Sequence, residues 1–341
     1  MFIFAVMENP YIKQFPDLMS GKKILYVHGF ASSGQSGTVT RMRVAMPSAT
    51  VVAPDLPLHP EEALQLLRAT CEAEQPDLIM GTSMGGMFAE MLYGYDRIII
   101  NPALQMGDTM VSHNMMGAQR FQNPRQDGVQ DFIVTKALVK EYKEICAQCF
   151  SGVSEEEQLN HVVGLFGDED TTVDTFDLFR EHYPRAIRFH GEHRMNDNSF
   201  MHSVVPVIRW FDDKQEGRSR PIVYVSIDAL RDKWGKPTSS SQKAFRQLIE
   251  SYFVYIVAPS TSNQPQLMDD VMAWAAEYIN VPAYDHVVFT NQLNLLYGDY
   301  LIAPDRLYGS SDFMGTSIAF GSDTFKTWED IIEFFGRLGG Q

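Results

Sequence analysis

The pentapeptide Gly-Thr-Ser-Met-Gly at residues 81–85 constrains this chain more than any other feature. A largely apolar run, 77–80, precedes it, and a run of helical composition, 87–92, follows it. A serine between two glycines, on a sharp turn from a strand into a helix, is the arrangement of a nucleophile elbow. Such a strained turn needs small residues on both sides of the serine. The pattern therefore predicts Ser83 as an activated nucleophile, although a five-residue match also occurs by chance.

The loop after an earlier strand fits this prediction. Residues 22–27 are rich in β-branched and aromatic side chains, which is typical of a buried strand, and they lead into His28-Gly29-Phe30. Acyl transfer needs two backbone N–H groups aimed at one oxyanion, one from the residue after the nucleophile and one from such a loop. Met84 and Phe30 occupy these two positions. The alternative is that His28-Gly29 forms an ordinary turn.

A serine nucleophile also needs a carboxylate and a histidine, which follow it in that order in this type of sheet. The predicted strand 161–166 ends shortly before Asp168 and Asp170. We predict that Asp170 orients the imidazole, with Asp168 as the alternative, while either acid could belong to a solvated turn. His193 lies on a polar loop after the predicted strand 186–190 and is predicted to be the general base.

Strands and helices alternate through the first part of the chain, which predicts a mainly parallel sheet covered on both faces. The predicted strands are 22–28, 49–54, 77–82, 96–100, 161–166 and 186–190, and the predicted helices are 60–74, 84–94, 174–183 and 201–212. The segment 105–156 interrupts this alternation and is predicted to form a helical cap. Its methionines could line an adaptable apolar site, or they could simply belong to the core.

Residues 22–211 resemble the YqiA-type esterases of the α/β-hydrolase superfamily. The matching segments are ILYVHGFASSG (24–34), VVAPDLP (51–57), GTSMGG (81–86), IIINPAL (98–104), FGDED (166–170) and GEHRMN (191–196). The resemblance implies an α/β-hydrolase fold and hydrolysis of carboxylic esters. It also implies Ser83 as nucleophile, His193 as base and Asp170 or Asp168 as acid.

Length and charge limit the remaining possibilities. A chain of 341 residues with 45% hydrophobic content can bury two cores of ordinary domain size. The net charge of −15 argues against a nucleic acid or an anionic membrane as partner. The resemblance to esterases implies a small-molecule ester as the ligand. We expect neither a cofactor nor a metal ion. The sequence does not indicate the oligomeric state.

The cysteines indicate a reducing compartment. Their number is three, an odd count for a chain of this length. Cys146 and Cys149 have the spacing of a redox motif or half of a zinc site, but no second ligand pair accompanies them, which favours free thiols. The apolar start 1–6 is short and lacks a basic region, so it does not resemble a signal peptide. We expect the protein to be cytoplasmic.

A charged stretch with almost no apolar residues, 213–220, predicts a linker between two domains, 1–212 and 221–341. The second domain begins with the strand-like run 221–227, and further strands and helices alternate after it. This pattern predicts a second, smaller α/β unit of Rossmann-like type with its own core.

The second domain resembles the haloacid-dehalogenase-like superfamily, and within it the deoxyribonucleotidase type. The matching segments are VYVSIDALRD (223–232), YIVAPSTSN (255–263), VVFTNQLNLLYGDYLIAPD (287–305) and TSIAFGS (316–322). The resemblance implies a phosphatase site at Ser226, Asp228, Ser260 or Thr261, and Asp299. In that site Ser226 stands where the family has its nucleophilic aspartate.

The phosphatase motifs have decayed. A hydroxyl without a neighbouring base does not replace a carboxylate as phosphoryl acceptor, and one Mg²⁺ ligand is lost with it. The lysine expected after Thr290 is missing as far as Asp299, and Ala303-Pro304 stands in place of the acidic pair. Phosphoryl transfer depends on such charges. We therefore expect a catalytically inactive second domain.

Three functions remain possible on the sequence alone. The first is a serine esterase or thioesterase acting on a small acyl substrate, with the second domain as an accessory. The second is a binding or scaffold protein in which both sites are inactive. The third is a bifunctional esterase and phosphatase. The ordered set Ser83, Asp170 and His193 favours the first, and Ser226 argues against the third.

Overall fold

The computed structural model describes residues 12–261, 264–279, 286–307 and 309–338. These residues form two compact units, each with its own apolar core. The first unit comprises the described residues up to Ile187 together with Gly191–Asp212. The second comprises Arg188–His190 and the described residues from Asp213 onward.

The elements of the first unit alternate as the sequence predicts. The strands are β1 (Lys23–Val27), β2 (Thr50–Val52), β3 (Leu78–Thr82), β4 (Arg97–Ile100), β5 (Gly117–Arg120), β6 (Asp131–Val134), β7 (Val162–Gly167) and β8 (Ala186–Phe189). The helices are α1 (Gly37–Ala45), α2 (Pro60–Glu74), α3 (Met84–Glu90), α4 (Met106–Ser112), α5 (Lys136–Cys146), α6 (Phe176–Arg180), α7 (Asp197–Ser199) and α8 (Val205–Glu216).

The main sheet of the first unit has the strand order β2-β1-β3-β4-β7-β8. The pairs β1–β2, β1–β3, β3–β4 and β4–β7 are all parallel. Their register aligns the carboxyl ends, because Val27 pairs with Gly81, Thr82 with Ile100, and Ile100 with Leu165. Strand order reverses at β1 and β3, and open α/β sheets bind ligands at the carboxyl ends beside such a reversal.

The segment between β4 and β7 contains a β-hairpin as well as helices. Strands β5 and β6 pair in antiparallel fashion between α4 and α5. The alternating burial of β6 gives it one inward face, on which Phe132 and Val134 are buried. Of the methionines in this segment, Met106 and Met110 are fully buried and Met116 is exposed. Most of this segment's apolar residues therefore belong to the core.

A buried charge network joins α3, β4 and the chain before β7. The guanidinium of Arg97 is fully buried and contacts a carboxylate oxygen of Glu157 and the backbone carbonyl of Glu90. The hydroxyl of Tyr183 donates to Oε1 of Glu90 over 2.8 Å. Burial raises the pKa of the Glu90 carboxyl. Removing one member would leave a buried charge without its partner, so the network specifies how these elements pack.

The second unit contains a parallel sheet. Its strands are β9 (Ile222–Ser226), β10 (Phe253–Ala258), β11 (Val287–Phe289), β12 (Tyr300–Pro304) and β13 (Thr316–Phe320), in the order β11-β10-β9-β12-β13. All four neighbouring pairs are parallel. The helices are α9 (Ile227–Leu230), α10 (Ser239–Ser251), α11 (Gln266–Trp274) and α12 (Trp328–Arg337). Both units therefore have the parallel α/β architecture that the sequence predicts.

The structure is helical at the start of the segment 213–220, which the sequence predicts to be a linker. Helix α8 continues to Glu216, so the first four of these residues are helical. Asp213 is only 1% exposed, and its carboxylate pairs with Nε of Arg218 at 2.8 Å and with Nε of Arg220 at 2.7 Å. The sequence pattern was misleading because paired charges can be buried, whereas a composition count treats every charge as solvated.

None of the helices formed by the described residues combines the length and apolarity that crossing a bilayer requires.

Candidate active site

Ser83 occupies a strained turn between β3 and α3. Its backbone angles are φ 55° and ψ −121°, which is a costly conformation for a residue with a Cβ. Gly81 and Gly85 permit this turn because, without a Cβ, they let neighbouring backbone segments approach closely. A Cβ on Gly85 would lie 2.0 Å from the carbonyl oxygen of Val27, and one on Gly81 would lie 2.3 Å from the carbonyl oxygen of Gly85. The turn has the shape of a nucleophile elbow.

A continuous chain of hydrogen bonds joins Ser83, His193 and Asp170. Nε2 of His193 lies 2.9 Å from Oγ of Ser83, and Nδ1 of His193 lies 2.7 Å from Oδ2 of Asp170. The other carboxylate oxygen of Asp170 accepts the N–H groups of Thr172 at 2.7 Å and Val173 at 3.1 Å. The Asp170 side chain is 4% exposed and that of His193 18%, so solvent reaches the site mainly on the imidazole side.

Asp168, the alternative acid of the sequence analysis, has a different partner. Its Oδ1 accepts the N–H of Gly191 at 3.0 Å, and the neighbouring N–H of Glu169 donates to the carbonyl of Gly191 at 3.0 Å. Asp168 thus binds the backbone of the loop that carries His193, whereas Asp170 binds the imidazole itself. The structure brings together Ser83, His193 and Asp170 from the set of predicted residues.

The two predicted oxyanion donors lie beside the serine. A Cβ on Gly29 would be 3.3 Å from Cβ of Ser83, which places the loop after β1 against the nucleophile. Phe30 is the next residue of that loop, and Met84 follows Ser83 in the chain. Within the described part of the chain, the backbone N–H groups of Phe30 and Met84 donate to no other atom. Both N–H groups therefore remain candidates for binding a substrate oxygen.

His28 supports the same loop from inside. Its Nε2 accepts the N–H of Leu56 at 3.1 Å, and its Nδ1 lies 2.9 Å from the carbonyl oxygen of Gly29. This pattern fixes a neutral ring with the proton on Nδ1, which donates to the carbonyl. Burial lowers the pKa of His28 and so favours the same neutral state. His28 therefore anchors the loop after β1, a role that the sequence did not reveal.

Asn101 is a second residue that the sequence analysis did not single out. It follows β4, is 2% exposed and lies beside the loops that carry the predicted acid and base. The segment IIINPAL (98–104) contains it, but the sequence pattern gives it no role. Its position in the sequence could have indicated a role. Asn101 directly follows a buried parallel strand next to the elbow, and ligands bind at the carboxyl ends of such strands.

A cavity of about 780 Å³ opens over Ser83 and His193. The segment between β4 and β7 supplies part of its wall, including Met106, Met115, Gln122 and Asn123. The insert is attached to the loop after β1 at several points. For example, the N–H of Gln122 donates to the carbonyl of Ala31 over 2.8 Å, and the side chain of Asn123 donates to Ser32 over 3.1 Å. The insert thus forms part of the wall of the candidate active site, and it contains the β5–β6 hairpin in addition to the predicted helical structure.

Polar side chains form much of the cavity wall. Arg41 lines it and forms an ion pair with Asp197, and Arg194 and Asn196 line it from the loop that carries His193. Tyr26 lies at the base, where its hydroxyl and Oγ1 of Thr82 are 2.8 Å apart. Burial raises the pKa of Tyr26, so this phenol is neutral near pH 7. The cavity therefore offers hydrogen-bonding groups as well as apolar surface.

The predicted phosphatase site of the second unit is only partly assembled. Ser226 ends β9, and Ser260 and Thr261 follow β10, so these residues lie at the carboxyl edge of the sheet. Oγ of Ser226 accepts the N–H of Asp228 at 3.3 Å and caps α9. The side chain of Asn291 makes two hydrogen bonds to the backbone of Ser260. Its Oδ1 accepts the N–H of Ser260 at 3.1 Å, and its Nδ2 donates to the carbonyl of Ser260 at 2.7 Å.

The prediction that Asp299 belongs to this site is wrong. Asp299 precedes β12, and its Oδ2 accepts the N–H of Ile222, the first residue of β9, at 2.8 Å. Since β9 and β12 are parallel, Asp299 lies at their amino ends, at the edge opposite Ser226. Asp305, which follows β12, is the acid on the carboxyl side. Asp299 and Asp305 are close in sequence, but the full length of β12 lies between them, so they stand at opposite edges of the sheet.

The strand order and the strained turn at Ser83 define an α/β-hydrolase fold. Residues 23–204 match the uncharacterised protein family UPF0227. The match covers more than half of the chain, and the protein belongs to this family. The resemblance of the first domain to YqiA-type esterases is thereby confirmed.

The resemblance to deoxyribonucleotidases is also confirmed by a relative. Over 99 residues the chain is 28% identical to a putative 5'(3')-deoxyribonucleotidase of Vibrio phage KVP40. The match includes 29% of this chain and spans 58% of the length of the phage protein. It supports a haloacid-dehalogenase-like domain.

The solved structures that are similar to the chain include an esterase and a thioesterase domain. Est1E from Butyrivibrio proteoclasticus is 14% identical, with 60% of this chain and 93% of that chain covered and a TM-score of 0.39. The thioesterase domain from the curacin biosynthetic pathway is 15% identical, with 57% and 92% covered and a TM-score of 0.36. Because both TM-scores are low, the assignment of the fold does not depend on these two structures. It rests on the strand order and on the turn at Ser83.

Proposed function

We propose that the first unit is a serine hydrolase that cleaves carboxylic esters or thioesters of small acyl groups. The observation that carries this proposal is the unbroken chain from Oγ of Ser83 through the imidazole of His193 to the carboxylate of Asp170, with links of 2.9 Å and 2.7 Å. Both distances lie within the range that proton transfer and imidazole orientation require.

The reaction follows from the direction of these bonds. Because the carboxylate of Asp170 accepts the proton on Nδ1, Nε2 of His193 is left with a lone pair facing Ser83. Nε2 takes the hydroxyl proton as Oγ attacks the ester carbonyl, and it then gives that proton to the leaving alcohol or thiol. Water, deprotonated by the same imidazole, releases the acid from the acyl-enzyme and restores Ser83.

The charge that develops on the carbonyl oxygen needs donors fixed in advance. The N–H groups of Phe30 and Met84 are the two candidates, and neither has a partner among the described residues. Loss of one such donor in other enzymes lowers kcat by about 10²–10³-fold. His28 contributes indirectly, because it holds the loop that presents Phe30.

The wall of the cavity favours a small substrate. A long alkyl chain would cover Arg41, Gln122 and Asn123 and remove water from them without replacing its hydrogen bonds. A short acyl group beside Ser83 leaves these polar side chains hydrated or bonded to a polar part of the substrate. The cavity volume of about 780 Å³ accommodates such a molecule easily.

Fluorophosphonate labelling tests the proposal directly. The reagent should label the wild type at Ser83, and Ser83→Ala should abolish both labelling and hydrolysis of p-nitrophenyl acetate while the thermal unfolding curve stays cooperative. Ser112→Ala, which changes an exposed serine at the end of α4, is the matched control and should retain both activities. A wild type that is folded but neither labelled nor active would favour the scaffold alternative.

For the second unit we propose a phosphatase-like domain without phosphatase activity, which serves as an accessory to the hydrolase. Ser226 is 3% exposed and its hydroxyl caps α9, so it offers neither a nucleophilic carboxylate nor a charge for a metal ion. Asp228 remains as an exposed acid at this edge, and Asp299 lies at the other. These features count against the bifunctional alternative.

A further inference from the structure

Asn101 holds an unusual position at the end of β4. Its φ is 43°, in the left-handed region that asparagine tolerates better than most residues, and its side chain is buried. Its backbone N–H donates to the carbonyl of Leu165 over 2.8 Å and so extends the ladder between β4 and β7. The side chain therefore begins at a fixed point of the sheet.

Among the described residues, the side-chain amide of Asn101 bonds the last residue of β7 and the loop that carries His193. Its Oδ1 accepts the N–H of Gly167, at the start of the loop that carries Asp170, over 2.7 Å. Its Nδ2 donates to the carbonyl oxygens of Glu192 and His193, each at 3.1 Å. One side chain thus binds the backbone of the acid loop and, at His193, the backbone of the base itself.

The same short segment also binds the nucleophile. The N–H of Ser83 donates to the carbonyl of Ile100 over 3.0 Å, and the N–H of Ala103 donates to the carbonyl of Ser83 over 2.9 Å. Residues 100–103 therefore hold the backbone of Ser83 by main-chain bonds, while the side chain of Asn101 holds the loops of Asp170 and His193.

We infer that Asn101 is a positioning residue that sets the distance between His193 and Ser83. It touches none of the reacting atoms, so its effect passes through the two loops. The inference rests on the proposed function, because it assumes that this distance governs the rate. A displacement of about 1 Å can cost about 10²-fold in rate, and the carbonyls of residues 192 and 193 lose a donor when the amide is removed.

Two variants separate the side chain from the backbone. Asn101→Gly suits the left-handed backbone and deletes all three side-chain bonds. Asn101→Asp keeps the size and the acceptor for Gly167 but places an oxygen opposite two carbonyl oxygens. Asn114→Gly is the matched control, because Asn114 is exposed and also left-handed, with φ 52°.

The measurements are the rate of fluorophosphonate labelling, kcat and KM for p-nitrophenyl acetate, and thermal unfolding. Proton NMR adds the low-field signal of the His193 N–H that is bonded to Asp170, assigned by its absence in His193→Ala. We expect both Asn101 variants to label about 10²-fold more slowly, with the loss in kcat rather than KM. The low-field signal should broaden or shift, and Asn114→Gly should match the wild type.

The outcomes are distinct. Wild-type labelling, kcat and NMR signal in the Asn101 variants would overturn the positioning role while leaving the proposed function intact. Loss of cooperative unfolding in both variants would also overturn it, since Asn101 would then be required for folding. A folded wild type without labelling at Ser83 would refute the proposed function and the positioning role together.

Discussion

Replacing Asp170 by asparagine provides a sharp test, because the structure determines which amide atom would face His193. The Oδ1 position accepts two backbone N–H groups, from Thr172 and Val173, and only the amide oxygen can take over that role. The amide nitrogen must then occupy the Oδ2 position, 2.7 Å from Nδ1 of His193. A donor there forces Nδ1 to accept, which moves the ring proton to Nε2 and removes the lone pair that faces Ser83.

The size of the effect follows from this tautomer change. In serine proteases the corresponding change lowers kcat by about 10⁴-fold, which is about 5.4 kcal/mol of barrier. We expect a loss of about 10⁴-fold in kcat for p-nitrophenyl acetate with Asp170→Asn, and a parallel loss in the rate of fluorophosphonate labelling. Thermal unfolding should remain cooperative, since both backbone bonds to the amide oxygen are kept.

Asp168→Asn is the matched control two residues away. Its amide oxygen can still accept the N–H of Gly191, so the loop that carries His193 keeps this bond. A hydrogen bond weakened in this way is worth about 1 kcal/mol, which corresponds to less than about tenfold in rate. Equal effects of the two substitutions, or a loss below about tenfold with Asp170→Asn, would refute the assignment of the acid.

Three further predictions concern other parts of the chain. Because burial lowers the pKa of His28 below its ordinary value of 6.5, stability should fall as pH drops below that value, and His28→Gln should flatten this part of the dependence of Tm on pH. Gly85→Ala should destabilise the first unit and abolish labelling, since the new Cβ would lie 2.0 Å from a carbonyl oxygen, whereas Gly336→Ala, with no atom within 4 Å, should not. The wild type and Ser226→Asp should release no phosphate from p-nitrophenyl phosphate or nucleoside monophosphates with Mg²⁺; metal-dependent turnover that is lost in Asp228→Asn would contradict this.

The strands of the main sheet in the first unit could be predicted because their signals are local, whereas the order of these strands and the hairpin of β5 and β6 were not predicted. An apolar run followed by a polar or glycine-rich loop marks the carboxyl end of a parallel strand, and parallel strands bring these ends to one edge. This rule alone places four residues at the carboxyl edge of the sheet, namely Ser83, Phe30, Asp170 and His193. It does not distinguish Asp168 from Asp170, because that choice depends on which carboxylate faces the imidazole and which faces the backbone of Gly191.

The sequence does not show which side chains and strands contact each other in the folded protein. The role of Asn101 depends on two loops that lie 66 and 92 residues further along the chain. Asp213 looked solvated until its two arginine partners were known. Asp299 was placed at the wrong edge because the motif gave a spacing without the register of β12 against β9. The limits of the two domains and the inactivity of the second stay predictions.

The left-handed turn at Ser83 has a consequence for how such a chain can change over time. A non-glycine residue held at φ 55° costs on the order of 1–3 kcal/mol, so this turn makes the first unit less stable than a glycine elbow would. Once hydrolysis no longer mattered, drift toward a more stable protein would readily replace the serine. Ser226 in the second unit caps α9 from an extended backbone conformation, whereas Ser83 in the first unit occupies a strained turn. On the proposed function, the chemistry of Ser83 accounts for a serine at a position where it costs stability.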